Sequence, residues 1–394
     1  MNIPRFTRTR RSMAVVGAIA LVATALAACS SDDDASSTPT TGATSGAAAG
    51  GDAELEARVA ALTKPLDAYP VPTDPIDGVS ALAGTTVYYI PITQQSPQFA
   101  VTQKALEDAL KTVNIKVQVC DGKGTPTDVS ACVTQATQAK AGTIVTDAIP
   151  YGLASNAFDA AQKAGIPVII SNQVPDAGWS ATKTLIYIPA GGSEMQVALA
   201  EWISLDSEGK AHTLINQSMD GPSPAVFVEA GKQAFATSCP DCKVTINQIS
   251  SANFSLIPSS TSSALLKDPS IDYVESQFEQ YLQPTQTGVE QAGRSDAVKG
   301  VTGAAQLSGL QALANKDFLY AAAAQASAYQ GWVDADAALR LMVGVETPQY
   351  TIPVRLFTRD SIGDVPLTEA AQASGEWFGP TTFTDDFKAL WGVA

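Results

Sequence analysis

Histidine is almost absent: His212 is the only one in 394 residues. That argues against a Ser-His-Asp triad, a histidine metal cluster and a histidine general base. Charge is sparse at 16%, and basic charge is the scarcer kind, with 24 Lys+Arg against 39 Asp+Glu and a net of −15. Four of the basic residues (Arg5, Arg8, Arg10, Arg11) lie in the first eleven positions, so the rest holds 20 basic residues against 39 acidic, a net of −19. Such a chain repels nucleic acid and anionic membrane surfaces, and neither is expected as a partner. The sequence has no GxSxG, HExxH, phosphate loop or GxGxxG, so no enzyme activity and no cofactor are expected. What is plentiful is hydrophobic residues, 45% of the chain, enough for one large or two medium domains.

Residues 14–28 carry no charge and follow the basic start. Fifteen residues fall short of the roughly 20 that a spanning helix needs, and the pattern reads as a secretory signal over 1–28. It ends in Leu26-Ala27-Ala28-Cys29, which resembles the bacterial lipobox. The resemblance implies that Cys29 becomes a lipidated N-terminus, attaching the protein to the extracytoplasmic face of the cell membrane without spanning it. Residues 29–52 contain no large apolar side chain and are expected to be a flexible tether. An N-terminal extension, 53–83, follows.

Cys120, Cys132, Cys239 and Cys242 are an even set in an exported chain, with three possible connectivities. Local pairing, 120 with 132 and 239 with 242, is favoured. Cys239-Pro-Asp-Cys242 has redox CxxC spacing, but it follows a helical stretch and precedes the strand-like KVTINQI, whereas a redox motif should open a helix. A structural clip is the better reading. A zinc site from the four thiols has no supporting histidine.

From Thr85 short apolar runs alternate with helical spacing. TVYYIPI, IKVQVC, TIVTD, IPVIIS and LIYI read as strands, and continuous apolar runs imply a parallel sheet covered on both faces. The rhythm restarts at Glu194, with HTLIN, KVTINQI, DYVES, VKGVT and FLYAAAA as strands. A helix over 328–343 and a strand over 351–357 remain. If the helix returns to the first half and the strand to the second, three crossings form a hinge. The expected fold is α/β, with lobe 1 at 84–189 plus about 326–350 and lobe 2 at about 190–325 plus 351–365. The ligand cleft then lies at the carboxyl ends of both sheets. Residues 366–394, with Trp377, Phe378, Phe383, Phe387 and Trp391, are expected to pack on a lobe surface.

Over about 84–360 the chain resembles the type I periplasmic binding proteins of sugar transporters, the ribose- and galactose-binding group. The resemblance is carried by VYYIPITQQSPQFAVTQKALEDAL, AAQKAGIPVIISNQ, GPSPAVFVEAGKQAF and AAAAQASAYQG in order. It implies capture of a small solute by hinge closure and delivery to the permease of an ABC importer, by a monomer. Matched residue by residue, it places Phe99, preceded by Gln98, at the family's stacking aromatic. It retains Phe254 and the hinge glutamine Gln325. Asn172-Gln173 stand where an Asp-Arg pair is usual, Val226 where an arginine is usual, Phe278-Glu279 for an Asn-Asp pair, and Thr302 for an aspartate. Tyr151, in the Pro150-Tyr151-Gly152 turn at another strand end, is a further candidate, and Trp179 is read as loop packing with a stacking role open. Bidentate Asp and Arg contacts reward polyhydroxylated rings. Their replacement predicts a neutral, more apolar pocket suited to a deoxy-sugar, polyol, glycoside or small cyclic compound. A ligand-sensing co-receptor would use the same cleft, as would a receptor for a non-carbohydrate solute.

Overall fold

The computed structural model describes residues 46–189 and 191–393, with side chains from residue 53. The signal, Cys29 and most of the tether lie outside the described residues. Helix α1 (Gly46–Leu62) begins inside the stretch read as tether, where the alanine-rich run favours a helix. From Gly46 on the chain forms one compact unit.

The first lobe runs β1 (Thr86–Pro91), α2 (Pro97–Lys111), β2 (Lys116–Val119), α3 (Pro126–Gln138), β3 (Thr143–Asp147), α4 (Ser155–Lys163), β4 (Val168–Ser171) and β5 (Leu185–Ile188). Its sheet is wholly parallel, in the order β2-β1-β3-β4-β5. Alternation along the strands feeds two cores. Val87, Tyr89, Val145 and Ile169 face one side. Tyr88, Ile90, Ile144, Val168 and Ile170 face the other, against Val129, Val133 and Phe158 of α3 and α4.

The second lobe runs α5 (Gly192–Asp206), β6 (His212–Ser218), α6 (Ser223–Ser238), β7 (Lys243–Ile249), α7 (Ile257–Lys267), β8 (Tyr273–Ser276), α8 (Leu282–Gln291), β9 (Lys299–Thr302), α9 (Leu307–Ala314) and β10 (Leu319–Gln325). Helix α7 starts five residues before the expected Ser262, with Pro258 in its first turn, where proline's missing N–H costs nothing. Helix α10 (Ser327–Val343) then returns to lobe 1, and β11 (Val354–Thr358) joins lobe 2 antiparallel to β10. The sheet order is β11-β10-β9-β8-β6-β7. The expected two-lobe, three-crossing architecture is the one observed. At the crossings Gly191 is required: a Cβ there would come within 2.4 Å of Val354 Cγ2.

Every residue of α10 from Ser327 to Arg340 is buried. Lobe 1 covers one side, and Gly331 lets α2 approach so closely that a Cβ would meet Thr102 O at 2.5 Å. The extension and the tail, α11 (Glu369–Ser374) and α12 (Phe383–Leu390), cover the other. Tyr329 donates to Pro70 O and Arg340 to Asp74 O, each at 2.6 Å. Trp332 stacks on both Phe387 and Trp391, which meet each other at a tilt. The extension reaches both lobes, because α1 packs on α5 and β11. Arg355 of β11 donates to Thr63 O and Trp377 O, tying extension and tail to the hinge strand. Cys120 pairs with Cys132 and Cys239 with Cys242, the local pairing.

Candidate functional site: the cleft between the lobes

The parallel strands place polar residues at their carboxyl ends, and these meet between the lobes. Tyr89 OH donates to Asp147 Oδ2 at 2.7 Å, and Asn172 Nδ2 donates to Asp147 Oδ1 at 2.6 Å. Asn172 adopts φ 57°, a left-handed conformation that asparagine tolerates better than most residues. Its Oδ1 accepts from Gln325 Nε2 at 2.8 Å. Gln325 Nε2 also donates to Gln330 Oε1 at 2.8 Å, and its Oε1 accepts from Gly191 N at 3.1 Å. One glutamine thus links two hinge crossings to lobe 1.

The base of this network holds two carboxyls. Burial pushes Asp147 up to about 6, against the hydrogen bonds from Tyr89 and Asn172. Asp334 of α10 accepts from Ser171 Oγ at 2.6 Å. Burial first, and then the nearby Asp147, raise its pKa well above the usual carboxylate range.

Lobe 2 answers with neutral groups. Ser223 Oγ donates to Gln173 Oε1 at 2.7 Å and accepts from Val174 N at 3.1 Å, bridging the lobes directly. Gln277 Oε1 accepts from Ser218 N and its Nε2 donates to Pro224 O, fixing the turn before α6. Glu275 accepts from Gln196 inside the lobe, and burial pushes it up to about 7. Glu279 accepts from the backbone N–H of Gln306 and Gly309 and from Ser308, and so caps α9.

Of the residues expected from sequence, the structure brings Asn172, Gln173 and Gln325 together. Gln98 and Phe99 begin α2, Phe99 being buried with its carbonyl accepting from Tyr89 OH at 3.3 Å. The other candidates lie apart from this network. Tyr151 is 1% exposed and turned into lobe 1, its OH between Asp159 and Gln162. Thr302 is wholly buried, with its hydroxyl directed to backbone carbonyls of Ser276 and Gly303. Phe254 is 44% exposed, beside Tyr281. Phe278 is half-buried, packed between two lobe-2 clusters and against Tyr281. Val226 is exposed. Sequence reasoning missed Tyr89, Asp147, Ser223 and Gln277; Asp147 and Gln277 carry the signal of a polar side chain at or just beyond a strand end, whereas Tyr89 lies inside β1 and Ser223 opens α6. His212 is structural, with its ring nitrogens on Ser270 and Thr245.

The lobes touch along this seam. A gap of about 10 Å³ lies beside Gln325, bounded also by Gln306, Gln372 and Trp377. An outer pocket of about 370 Å³ opens at the cleft's edge beside Pro150, Trp179 and Pro222. Among the described residues no helix is long and apolar enough to cross a membrane.

No curated protein sequence matches the chain. Among solved structures, the 5-methylthioribose transporter solute binding protein from Thermotoga lettingae, in complex with 5-methylthioribose, superposes with a TM-score of 0.66 at 15% identity. That match covers 78% of this chain and 96% of that one. A Mycobacterium smegmatis structure in complex with β-D-fucofuranose gives 0.64 at 17%, covering 75% and 98%. A sugar ABC transporter protein from Yersinia enterocolitica gives 0.65 at 16%, covering 81% and 98%. The family model described as a periplasmic binding protein domain matches residues 87–346: the chain belongs to the periplasmic binding protein domain family.

Proposed function

We propose that this protein is an extracytoplasmic solute receptor. It captures a small neutral sugar, polyol or related compound between its lobes and presents it to the permease of an ABC-type importer. The observation that carries the reading is the Asn172–Gln325–Gly191 linkage, in which neutral amide groups at the cleft also hold two hinge crossings. A hydroxylated solute that bonds Asn172, Gln173 and Gln325 on one side and Ser223 on the other takes over the bridging now made by Ser223 and Gln173 and holds the lobes together. Binding and hinge angle are then coupled. The sugars bound by the similar structures support the ligand class. Lipid on Cys29 keeps the receptor, a monomer in this reading, at the membrane; the lipobox-like Leu26–Cys29 supports that part.

A thermal-shift panel on the chain from Ser30 onward tests this. It would hold pentoses, hexoses, deoxy-sugars, polyols and glycosides. A bound solute at a hundred times its Kd adds about 2.7 kcal/mol of stability. Stabilisation by a sugar or polyol supports the reading, and stabilisation by none of them contradicts it.

A further inference from the structure

The outer pocket is built differently from the amide-lined seam. Its walls include Pro150, Gly152, Leu153 and Trp179 from lobe 1 and Pro222 from lobe 2. The lobes touch at its edge: a Cβ on Gly221 would lie 3.3 Å from Pro150 Cγ. Lobe 2 thus adds Pro222 to a wall that lobe 1 otherwise supplies. No lysine or arginine lines it. It is a depression open to solvent, and its volume of about 370 Å³ is at the low end of small-molecule sites, roughly 300–1,000 Å³.

The aromatic wall is fixed in place. Trp179 packs on Tyr151 with centroids 5.4 Å apart, and Tyr151 is itself held by Asp159 and Gln162. The Trp179 carbonyl accepts from Tyr187 OH at 2.7 Å, and its N–H donates to Asp176 O at 3.1 Å. Gly152 keeps the floor low, since a Cβ there would sit 3.4 Å from Trp179 Cζ3. One carboxylate faces this apolar surface. Asp176 Oδ2 accepts from Gly152 N at 2.8 Å, and the other oxygen accepts nothing among the described residues. The turn that carries Pro222 also exposes Met219, and α6 exposes Val226.

We propose that this pocket binds an aromatic or alicyclic ring bearing a hydroxyl donor, and that the captured solute carries such a ring. The ring packs against Trp179 and the prolines, and the donor bonds Asp176. An anion is rejected, because it would meet a carboxylate with no compensating cation. Since both lobes supply walls, an occupied pocket favours the closed arrangement. The statement about the solute rests on the receptor reading, whereas the ring site itself does not.

The test is ¹⁹F NMR on the chain from Ser30 onward carrying 5-fluorotryptophan, with the Trp179 resonance assigned through Trp179→Phe. Benzyl alcohol and cyclohexylmethanol should shift that resonance saturably, and benzoate should bind about tenfold more weakly, a difference of about 1.4 kcal/mol. Gly152→Val keeps the N–H that bonds Asp176 and fills the floor, so it should abolish the shift; Gly152→Ala should weaken it and is the milder variant if valine disturbs folding. An unshifted Trp179 resonance, equal binding of benzoate, or wild-type binding by a folded Gly152→Val protein would overturn the proposal. Sugars that stabilise the protein without any ring response leave the receptor reading standing and remove the ring site. Ring binding without any sugar response does the reverse.

Discussion

Replacing Trp391 by alanine tests whether the C-terminal tail is part of the fold rather than an addition to its surface. Trp391 is 2% exposed. It stacks on Trp332 of α10 with centroids 5.5 Å apart and planes 10° from parallel, and it contacts Phe387 at 5.7 Å. Its Nε1 donates to Asp336 Oδ1 at 2.8 Å. The other oxygen of that buried carboxylate accepts from Arg340 Nε and Tyr350 OH. Truncating a buried aromatic of this size costs about 3–5 kcal/mol. Phenylalanine keeps most of the ring and loses only the hydrogen bond to a charged acceptor, about 1.5–3 kcal/mol. Against a total of about 5–15 kcal/mol, the alanine variant should lose a large share of its stability. Urea unfolding at neutral pH should show alanine below phenylalanine below wild type, with the slope m unchanged. A loss of less than about 1 kcal/mol for the alanine variant, within the range of an ordinary surface substitution, would refute the reasoning.

Three further outcomes follow from the same geometry. Asp147 and Glu275 hold their protons more tightly folded than unfolded, being raised to about 6 and about 7. Each therefore adds stability as pH falls toward the ordinary carboxylate range and withdraws it as pH rises through those values. Asp334→Asn removes a carboxyl that the fold keeps protonated beside Asp147 while the unfolded chain releases that proton, so the urea midpoint should gain more at pH 8 than at pH 5; equal changes at both would count against the coupled pair. Removing the Cys120–Cys132 bridge, with a separation of 12 residues, should cost about 3 kcal/mol, and removing Cys239–Cys242, with a separation of 3, about 2 kcal/mol; the reverse order in denaturant titrations would contradict the loop-entropy argument. Gln325→Ala should weaken solute binding at least about tenfold in calorimetry while the protein still melts cooperatively, and unchanged affinity would remove Gln325 from the site.

The architecture was legible because the physics behind it is local. Short runs such as TVYYIP send Tyr89 to one face and Tyr88 to the other, and such two-sided burial leaves a continuous apolar signature. A helix and a strand left over after two complete halves had to cross back, which exposed the hinge. Gln325 was singled out by the resemblance, as the hinge glutamine, and the structure places it at the end of β10 with Asn172, Gln330 and Gly191 as partners. The direction of Tyr151 was not legible, because an aromatic in a strand-end turn can face the cleft or the core equally well, and here Asp159 and Gln162 draw its hydroxyl inward. Nor was that of Thr302, because a short hydroxyl can satisfy itself on neighbouring carbonyls. Asp147 carries no motif and acquires meaning only through Tyr89 and Asn172, 58 and 25 residues away. The proline-rich stretch after α1 has no periodicity to read, and its place is set by Tyr329, 259 residues from Pro70.

The central claim is that the lobes close on a solute. Spin labels at Lys163→Cys on α4 and Lys232→Cys on α6, both exposed positions in opposite lobes, report the separation by pulsed electron resonance. With the most stabilising sugar of the panel, the account predicts that a broad or longer distance distribution collapses to one short distance. Saturating sugar that leaves the distribution unchanged would contradict it.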